Sequence, residues 1–241
     1  MDDEWEVLLA NLHLPTMAKN LKADIALAEK EQLSYQDFLV KLLRAQWHAR
    51  QESALAYRIK TAKLPEQWAL ETFPFKIQTG VKERQIKALA SLEFIAKAEN
   101  IVFVGGTGVG KTGLASGILL RALQNGHRGL FVRAQDLFDE MFASLADRSS
   151  RVLLNRLARV DVLVIDEMGY LNVKPEQANI FYRLMEERHR RKPTVITTNL
   201  AYDEWHGFLG NKNLVDALLS RLRNQCHTIH INGPTLRTQQ G

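Results

Sequence analysis

The residues best suited to do chemistry begin with Ile101 to Thr112, IVFVGGTGVGKT, four apolar residues and then a glycine-rich turn ending in Lys-Thr. Gly105, Gly110, Lys111 and Thr112 fill the four fixed places of G-x-x-x-x-G-K-[ST]. A loop of this kind (Gly105, Gly106, Thr107, Gly108, Val109, Gly110) turns tightly and aims successive backbone N–H groups at one anion, which a Cβ would obstruct. Lys111 is expected to reach the β and γ phosphates of a nucleotide, and the Thr112 hydroxyl to ligate Mg²⁺. Gly113 completes the run at the positive end of a helix dipole. The first expectation is therefore phosphate binding.

A second cluster is Val162-Leu163-Val164-Ile165 followed by Asp166-Glu167, an apolar strand ending in two acids. At the carboxyl end of a parallel strand such acids sit beside the phosphate loop. Asp166 is expected to hold Mg²⁺ and Glu167 to polarise the water that attacks the γ-phosphate. The second acid favours nucleotide hydrolysis over transfer to a bound metabolite. Asn199 ends another apolar run, Thr194 to Thr198, where its amide would bond a γ-phosphate or the attacking water. Arg221, in Ser220-Arg221-Leu222-Arg223 at the end of a helix beginning near Leu214, is placed to reach a neighbouring subunit's nucleotide. A surface salt bridge is its other reading, and the choice between Arg221 and Arg223 stays open.

These residues need a scaffold. Five apolar runs, Ile101–Val104, Gly129–Val132, Val162–Ile165, Thr194–Thr198 and Thr228–Ile231, alternate with helical periodicity and predict an α/β fold with a five-stranded parallel sheet flanked by helices. One helix should run from the phosphate loop to about Gln124, another should be capped by Asp136, and Val81 to Ala98 also reads as helical. Helices open the chain as well. Trp5, Leu8, Leu9 and Leu12 form one stripe, Leu14, Met17, Leu21, Ile25 and Ala28 a second, and Ser34 with Asp37 resembles a capping box before a longer helix. Prolines at 65 and 74 mark a connector, which divides a helical module, residues 1–65, from a main domain, residues 66–241.

Basic residues collect in three places. Lys41, Arg44, Arg50 and Arg58, with Lys60 and Lys63, face a single acid, Glu52, and make either a DNA-facing surface or a solvated helix face. Arg148, Arg151, Arg156 and Arg159 decorate a helix whose apolar side packs inward, with phosphate contact and plain surface as the two readings. For Arg183, Arg188, Arg190, Arg191 and Lys192, offset by Glu186 and Glu187, a solvated surface is expected. The net charge of +5 and pI near 9.3 permit nucleic-acid binding without requiring it. One cysteine, Cys226, excludes an internal disulfide and a cysteine-rich metal site, which points to the cytoplasm. The acidic start MDDEWEVLLANLHL is no signal peptide, and no apolar run is long enough to span a membrane.

Taken in order, these motifs resemble AAA+ ATPases of the initiator and helicase-loader group, and more narrowly the IstB/DnaC-like family. The resemblance also rests on Ala62-Lys63-Leu64-Pro65, Phe73-Pro74-Phe75, Asp161 to Tyr170, Asp203-Glu204-Trp205 and Ala217 to Leu222. It implies an ATP- and Mg-dependent homo-oligomer with nucleotide at its subunit interfaces. Such an assembly binds and deforms duplex DNA with little sequence preference and recruits and stimulates a partner transposase. A replicative helicase loader is the rival within the superfamily, and a small-molecule kinase the rival outside it. Two departures stand out. Gly113 occupies a place where the family usually has histidine, and Gly233-Pro234-Thr235-Leu236-Arg237 replaces the usual Gly-x-Ser-Tyr-Arg. Arg237 is thereby kept as an expected nucleotide contact in cis, with its positioning in question. So few residues follow it that no C-terminal helical lid domain is expected.

Overall fold

The computed structural model describes residues 4–65, 68–169 and 171–237. Tyr170, the end of one quoted run, and Glu66, the expected first residue of the main domain, lie outside them. The chain forms two compact units, Met1–Tyr57 and Arg58–Gly241.

The first unit contains α1 (Glu4–Asn11), α2 (Pro15–Glu31) and most of α3 (Tyr35–Ala62). Proline at the start of α2 costs no hydrogen bond there. Two of the orphan N–H groups, on Thr16 and Met17, donate instead to Oε1 of buried Gln46 at 2.9 and 3.1 Å. The start of α3 is set by Ser34, whose Oγ accepts from the Asp37 N–H at 3.1 Å and donates to the Asp37 carboxylate at 2.6 Å. Of the expected apolar stripe on α1, Leu8 and Leu12 are exposed.

The second unit opens with α4 (Glu83–Leu89) and α5 (Glu93–Ala96), followed by β1 (Asn100–Gly105) and α6 (Lys111–Gln124). Next come β2 (Gly129–Arg133), α7 (Ala134–Ala146), α8 (Ser150–Arg159), β3 (Val162–Met168) and α9 (Pro175–Arg188). The unit closes with β4 (Thr194–Thr198), α10 (Trp205–Leu209), α11 (Lys212–Asn224) and β5 (Cys226–Ile231). All strand pairings are parallel, in the order β2-β3-β4-β1-β5. Helices cover both faces of the central strands, so β1 and β4 are buried along almost their whole length and read as continuous apolar runs. Because β4 lies between β1 and β3, its carboxyl end separates the phosphate loop from Asp166 by a single strand.

Several details differ from expectation for local reasons. Val81 to Ala98 breaks into two short helices at Leu92, which takes φ +66°. Asp136 lies within the first turn of α7 instead of capping it. Helix α11 starts two residues early because Asn211 Oδ1 accepts the Leu214 N–H at 3.3 Å. The largest correction concerns the third basic patch, since Arg188 is 1% exposed. Its guanidinium donates to the carbonyls of Leu157 (2.8 Å), Val160 (3.0 Å) and Pro193, and to Thr194 Oγ1 (3.0 Å). Five N–H donors in a planar fork can satisfy that many acceptors at once, which a solvated-face reading does not anticipate.

Candidate functional site

Strand β1 delivers the chain into the glycine loop, and the loop takes the conformation that glycine allows. Gly108 has φ +80° and Gly110, the N-cap of α6, has φ +96°. Space forbids a side chain there as well: a Cβ on Gly108 would lie 2.2 Å from Thr235 Oγ1, and one on Gly110 2.8 Å from the Phe73 ring. The loop is thus gripped from outside by two segments far away in sequence. The Leu236 N–H donates to the Gly108 carbonyl at 2.7 Å. Buried Gln78 donates through Nε2 to the carbonyls of Val109 (3.0 Å) and Pro234 (2.9 Å) and accepts the Gly80 N–H at 3.1 Å.

Lys111 Nζ curls back to the carbonyls of Gly105 and Gly106 at 2.8 and 2.7 Å. Burial lowers its pKa, the carboxylates of Asp166 and Glu167 oppose that shift, and Arg237 adds to it. Thr112 Oγ1 donates to the Asp166 carboxylate, 3.0 Å from Oδ1 and 3.1 Å from Oδ2. Asp166 is 3% exposed. Burial raises its pKa against hydrogen bonds from Thr197 and Thr112, with the charge of Glu167 adding to the rise and Lys111 opposing it.

The end of β3 is bent. Its pairing with β4 runs Ile165 to Ile196 and then jumps to Met168 with Thr198, so β3 carries one extra residue. Within this bulge Glu167 takes φ +60°, a left-handed conformation that costs a non-glycine residue about 1–2 kcal/mol. Thr197 stands opposite and braces both acids. Its hydroxyl donates to Asp166 Oδ1 at 2.5 Å and accepts the Glu167 N–H at 2.9 Å. Asp166 consequently turns inward beside Thr112 while Glu167 stays exposed. At the end of β4, Asn199 Oδ1 is buried and has no hydrogen-bond partner among the described residues. A buried amide oxygen left in that state is suited to a group that donates to it, such as a water.

All these groups meet in one cavity of about 460 Å³ at the carboxyl ends of the strands. Thr107, Gly108, Gly110, Lys111, Thr112 and Gly113 line it together with Asp166, Glu167, Asn199 and Arg237. Despite its altered flanking sequence, Arg237 is delivered to the cavity because Leu236 is bonded to the loop. Sequence reasoning missed Trp68, Phe73, Phe131, Arg133 and Thr197, which also face it. Only Arg133 carried a local signal, since it ends β2 as Asp166 ends its own apolar run, and the two are register partners.

Arg221 is not brought to this cavity. It shares a small depression with Asn100, Arg188 and Thr194, at the amino ends of β1 and β4, and lies 3.7 Å from Glu186. Arg223 packs over the Tyr202 ring at 5.2 Å. The basic candidates are dispersed. Lys41 is 3.9 Å from Asp24, and Arg50 donates to the His13 carbonyl at 3.3 Å. Arg44 lines a surface groove with Leu43 and Trp47. Arg58 donates to the Leu123 carbonyl at 2.9 Å, and Arg156 is 2.5 Å from Glu140. Arg148 takes φ +59° just before α8, and Arg151 faces Arg183, Arg191 and Lys192 across a groove between α8 and α9.

Oxygen donors at Thr112 and Asp166 suit a hard divalent cation such as Mg²⁺, which takes one or two protein oxygens and fills the rest of its shell with phosphate and water. Among the described residues no cluster of three or more His, Cys, Asp or Glu side chains forms a separate metal site. No described helix is long and apolar enough to cross a membrane.

Comparison with known proteins places this geometry in context. Residues 7–241 match the family model described as IstB-like ATP binding protein. The chain is 32% identical over 237 residues to the insertion sequence IS21 ATP-binding protein of Pseudomonas aeruginosa, covering 98% of this chain and 89% of that protein. It is 34% identical to the IS5376 ATP-binding protein of Geobacillus stearothermophilus, covering 95% and 91%. Among solved structures, that of the DnaC helicase loader aligns with a TM-score of 0.58 at 23% identity, over 68% of this chain and 96% of that one. This last likeness bears on the fold alone.

Proposed function

The chain belongs to the IstB-like ATP-binding protein family, and from that premise we propose that it hydrolyses ATP to drive a transposition step on duplex DNA. The observation that carries the hydrolytic part is the shared cavity. A glycine-rich loop, a buried carboxylate beside a threonine hydroxyl, an exposed second carboxylate and a buried amide oxygen with no partner among the described residues all face one space. In this reading the loop amides and Lys111 hold the β and γ phosphates, which would draw the ammonium away from the Gly105 and Gly106 carbonyls. Thr112 and Asp166 would hold Mg²⁺, which when bound would supply positive charge to offset that of the phosphates. Glu167 accepts a proton from the attacking water, Asn199 orients that water or the γ-phosphate, and Arg237 contacts the nucleotide in cis.

Arg221 lies at the opposite end of the sheet from its own nucleotide cavity, so its proposed role is in a neighbouring subunit's site within a homo-oligomer. Contact with DNA would run through phosphates, using basic residues of the helical module 1–65 and of α8, and would be independent of sequence. The partner is a transposase, in keeping with relatives named for insertion sequences. The helicase-loader alternative rests on likeness of fold. Glu167→Gln tests the proposal: it should retain ATP binding while turnover drops about 100-fold or more, and the ATP-bound protein should accumulate on DNA. Unimpaired hydrolysis by this variant would remove Glu167 from the mechanism.

A further inference from the structure

One wall of the cavity has no part in phosphate chemistry. Pro65, Trp68, Phe73 and Leu236 make it apolar and aromatic, next to the polar face formed by Lys111, Thr112 and Asp166. The wall is held from behind. Leu70, in the single helical turn Leu70–Thr72, lies 2.6 Å from where a Cβ on Gly117 of α6 would stand, and the Trp68 carbonyl lies 3.2 Å from the same point. The Phe73 ring closes on Gly110 and contacts Phe75 at a centroid distance of 4.8 Å.

Trp68 differs from its neighbours in this wall. Its indole lies flush on Gly113, with Cδ2 and Cε3 each 3.4 Å from the position of a Cβ there. The residue nevertheless stays 39% exposed while lining the cavity. A large aromatic that packs on the first turn of α6 and also lines the cavity is a stacking platform one residue beyond the phosphate-binding threonine. Glycine at 113, one of the two departures from the family pattern, thereby acquires a physical reason: a bulky side chain would occupy the space that the indole takes.

We propose that Trp68 is a nucleobase-stacking subsite that receives the purine ring of the bound nucleotide, with Phe73 and Leu236 completing the apolar wall. The inference rests on the nucleotide reading of the cavity and adds how the base is held. Recognition through a π face and apolar contact selects purines over pyrimidines by stacking area, while discriminating adenine from guanine weakly.

Binding of ATP, GTP, CTP and inorganic tripolyphosphate to the full chain, measured calorimetrically alongside tryptophan fluorescence, tests it. Wild-type protein should bind ATP and GTP more tightly than CTP, with a change in fluorescence on ATP addition. Trp68→Ala should weaken ATP and GTP about tenfold and leave tripolyphosphate affinity unchanged, showing that the phosphate loop is intact. Trp68→Phe should keep most of the ATP affinity and lose the fluorescence change, although Trp5, Trp47 and Trp205 remain. Equal ATP affinity in wild type and Trp68→Ala, with tripolyphosphate binding normally, would overturn the subsite alone. Failure of the wild type to bind either ATP or tripolyphosphate would overturn the nucleotide reading together with it.

Discussion

Asp166 is buried among hydroxyl donors, with Lys111 as a nearby opposite charge and Glu167 as a nearby like one, and its pKa is raised chiefly by that burial. Its ionised form is therefore less favoured in the folded protein than in the unfolded chain. For an acid with a raised folded pKa, the native state binds more protons, so stability falls as pH rises from the unfolded towards the folded value and then levels off. Asp166→Asn keeps an oxygen for Thr112 and Thr197 and removes the charge. Without nucleotide or magnesium it should melt higher than wild type at pH 7, at about 2–4 °C per kcal/mol relieved. The gain should shrink as pH falls through the raised folded pKa of Asp166 towards its unfolded value, because the wild-type carboxylate is then protonated and the charge penalty is gone, and thermal melts across pH would show it. With ATP and magnesium the same variant should be inactive, so that stability and activity separate at one residue.

At the scale of elements, the second unit is tied together at both ends of its sheet by polar side chains that act on backbone carbonyls. Arg188 joins the end of α8 to the start of β4 at the amino end, and burial pulls its pKa down to about 10, so it stays charged at neutral pH. Arg188→Ala would strand the carbonyls of Leu157 and Val160, while that of Pro193 keeps the Leu163 N–H, and leaving buried acceptors unpaired costs about 1–3 kcal/mol each. The expected loss is therefore about 2 kcal/mol or more, read as a lower denaturation midpoint. Arg188→Lys should recover only part, because an ammonium cannot fork to the acceptors of both segments at once. At the carboxyl end, Gln78 and the Leu236 N–H fasten the segment before Arg237 to the phosphate loop. The end of β3 is shaped by the bulge that Thr197 braces, so the divergent directions of Asp166 and Glu167 belong to two strands together.

For the whole molecule, the separation of Arg221 from the nucleotide cavity is the feature with the widest consequence. An arginine at the amino ends of β1 and β4 cannot serve phosphates bound at the carboxyl ends of the same sheet. It can serve a second copy whose cavity faces it. Arg221→Ala and Lys111→Ala should each hydrolyse ATP poorly, the first by about 10³-fold if it removes a trans arginine. Mixed together, they should regain turnover well above the sum of the separate rates, because an intact Lys111 site in one variant then meets an intact Arg221 in the other. Steady-state ATPase rates across mixing ratios measure this, and a strictly additive response would refute action in trans.

Much of the site was legible because its groups lie where apolar strands end. Gly105 to Thr112, Asp166, Glu167 and Asn199 each follow a continuous apolar run, and a parallel sheet gathers the carboxyl ends of its strands on one edge whatever the details of packing. The sequence by itself therefore determined the fold class and which loop, acids and amide would gather at the candidate cavity. Only the tertiary structure decided that Trp68 rests on Gly113, that Thr197 braces both acids, that Arg237 reaches the cavity and Arg221 does not, and that Arg188 is buried. These contacts join segments separated by tens to more than a hundred residues, and no local periodicity encodes them. The physical reason is that periodicity reports which face of an element is buried, whereas the partner of a side chain on that face is fixed only when the elements pack.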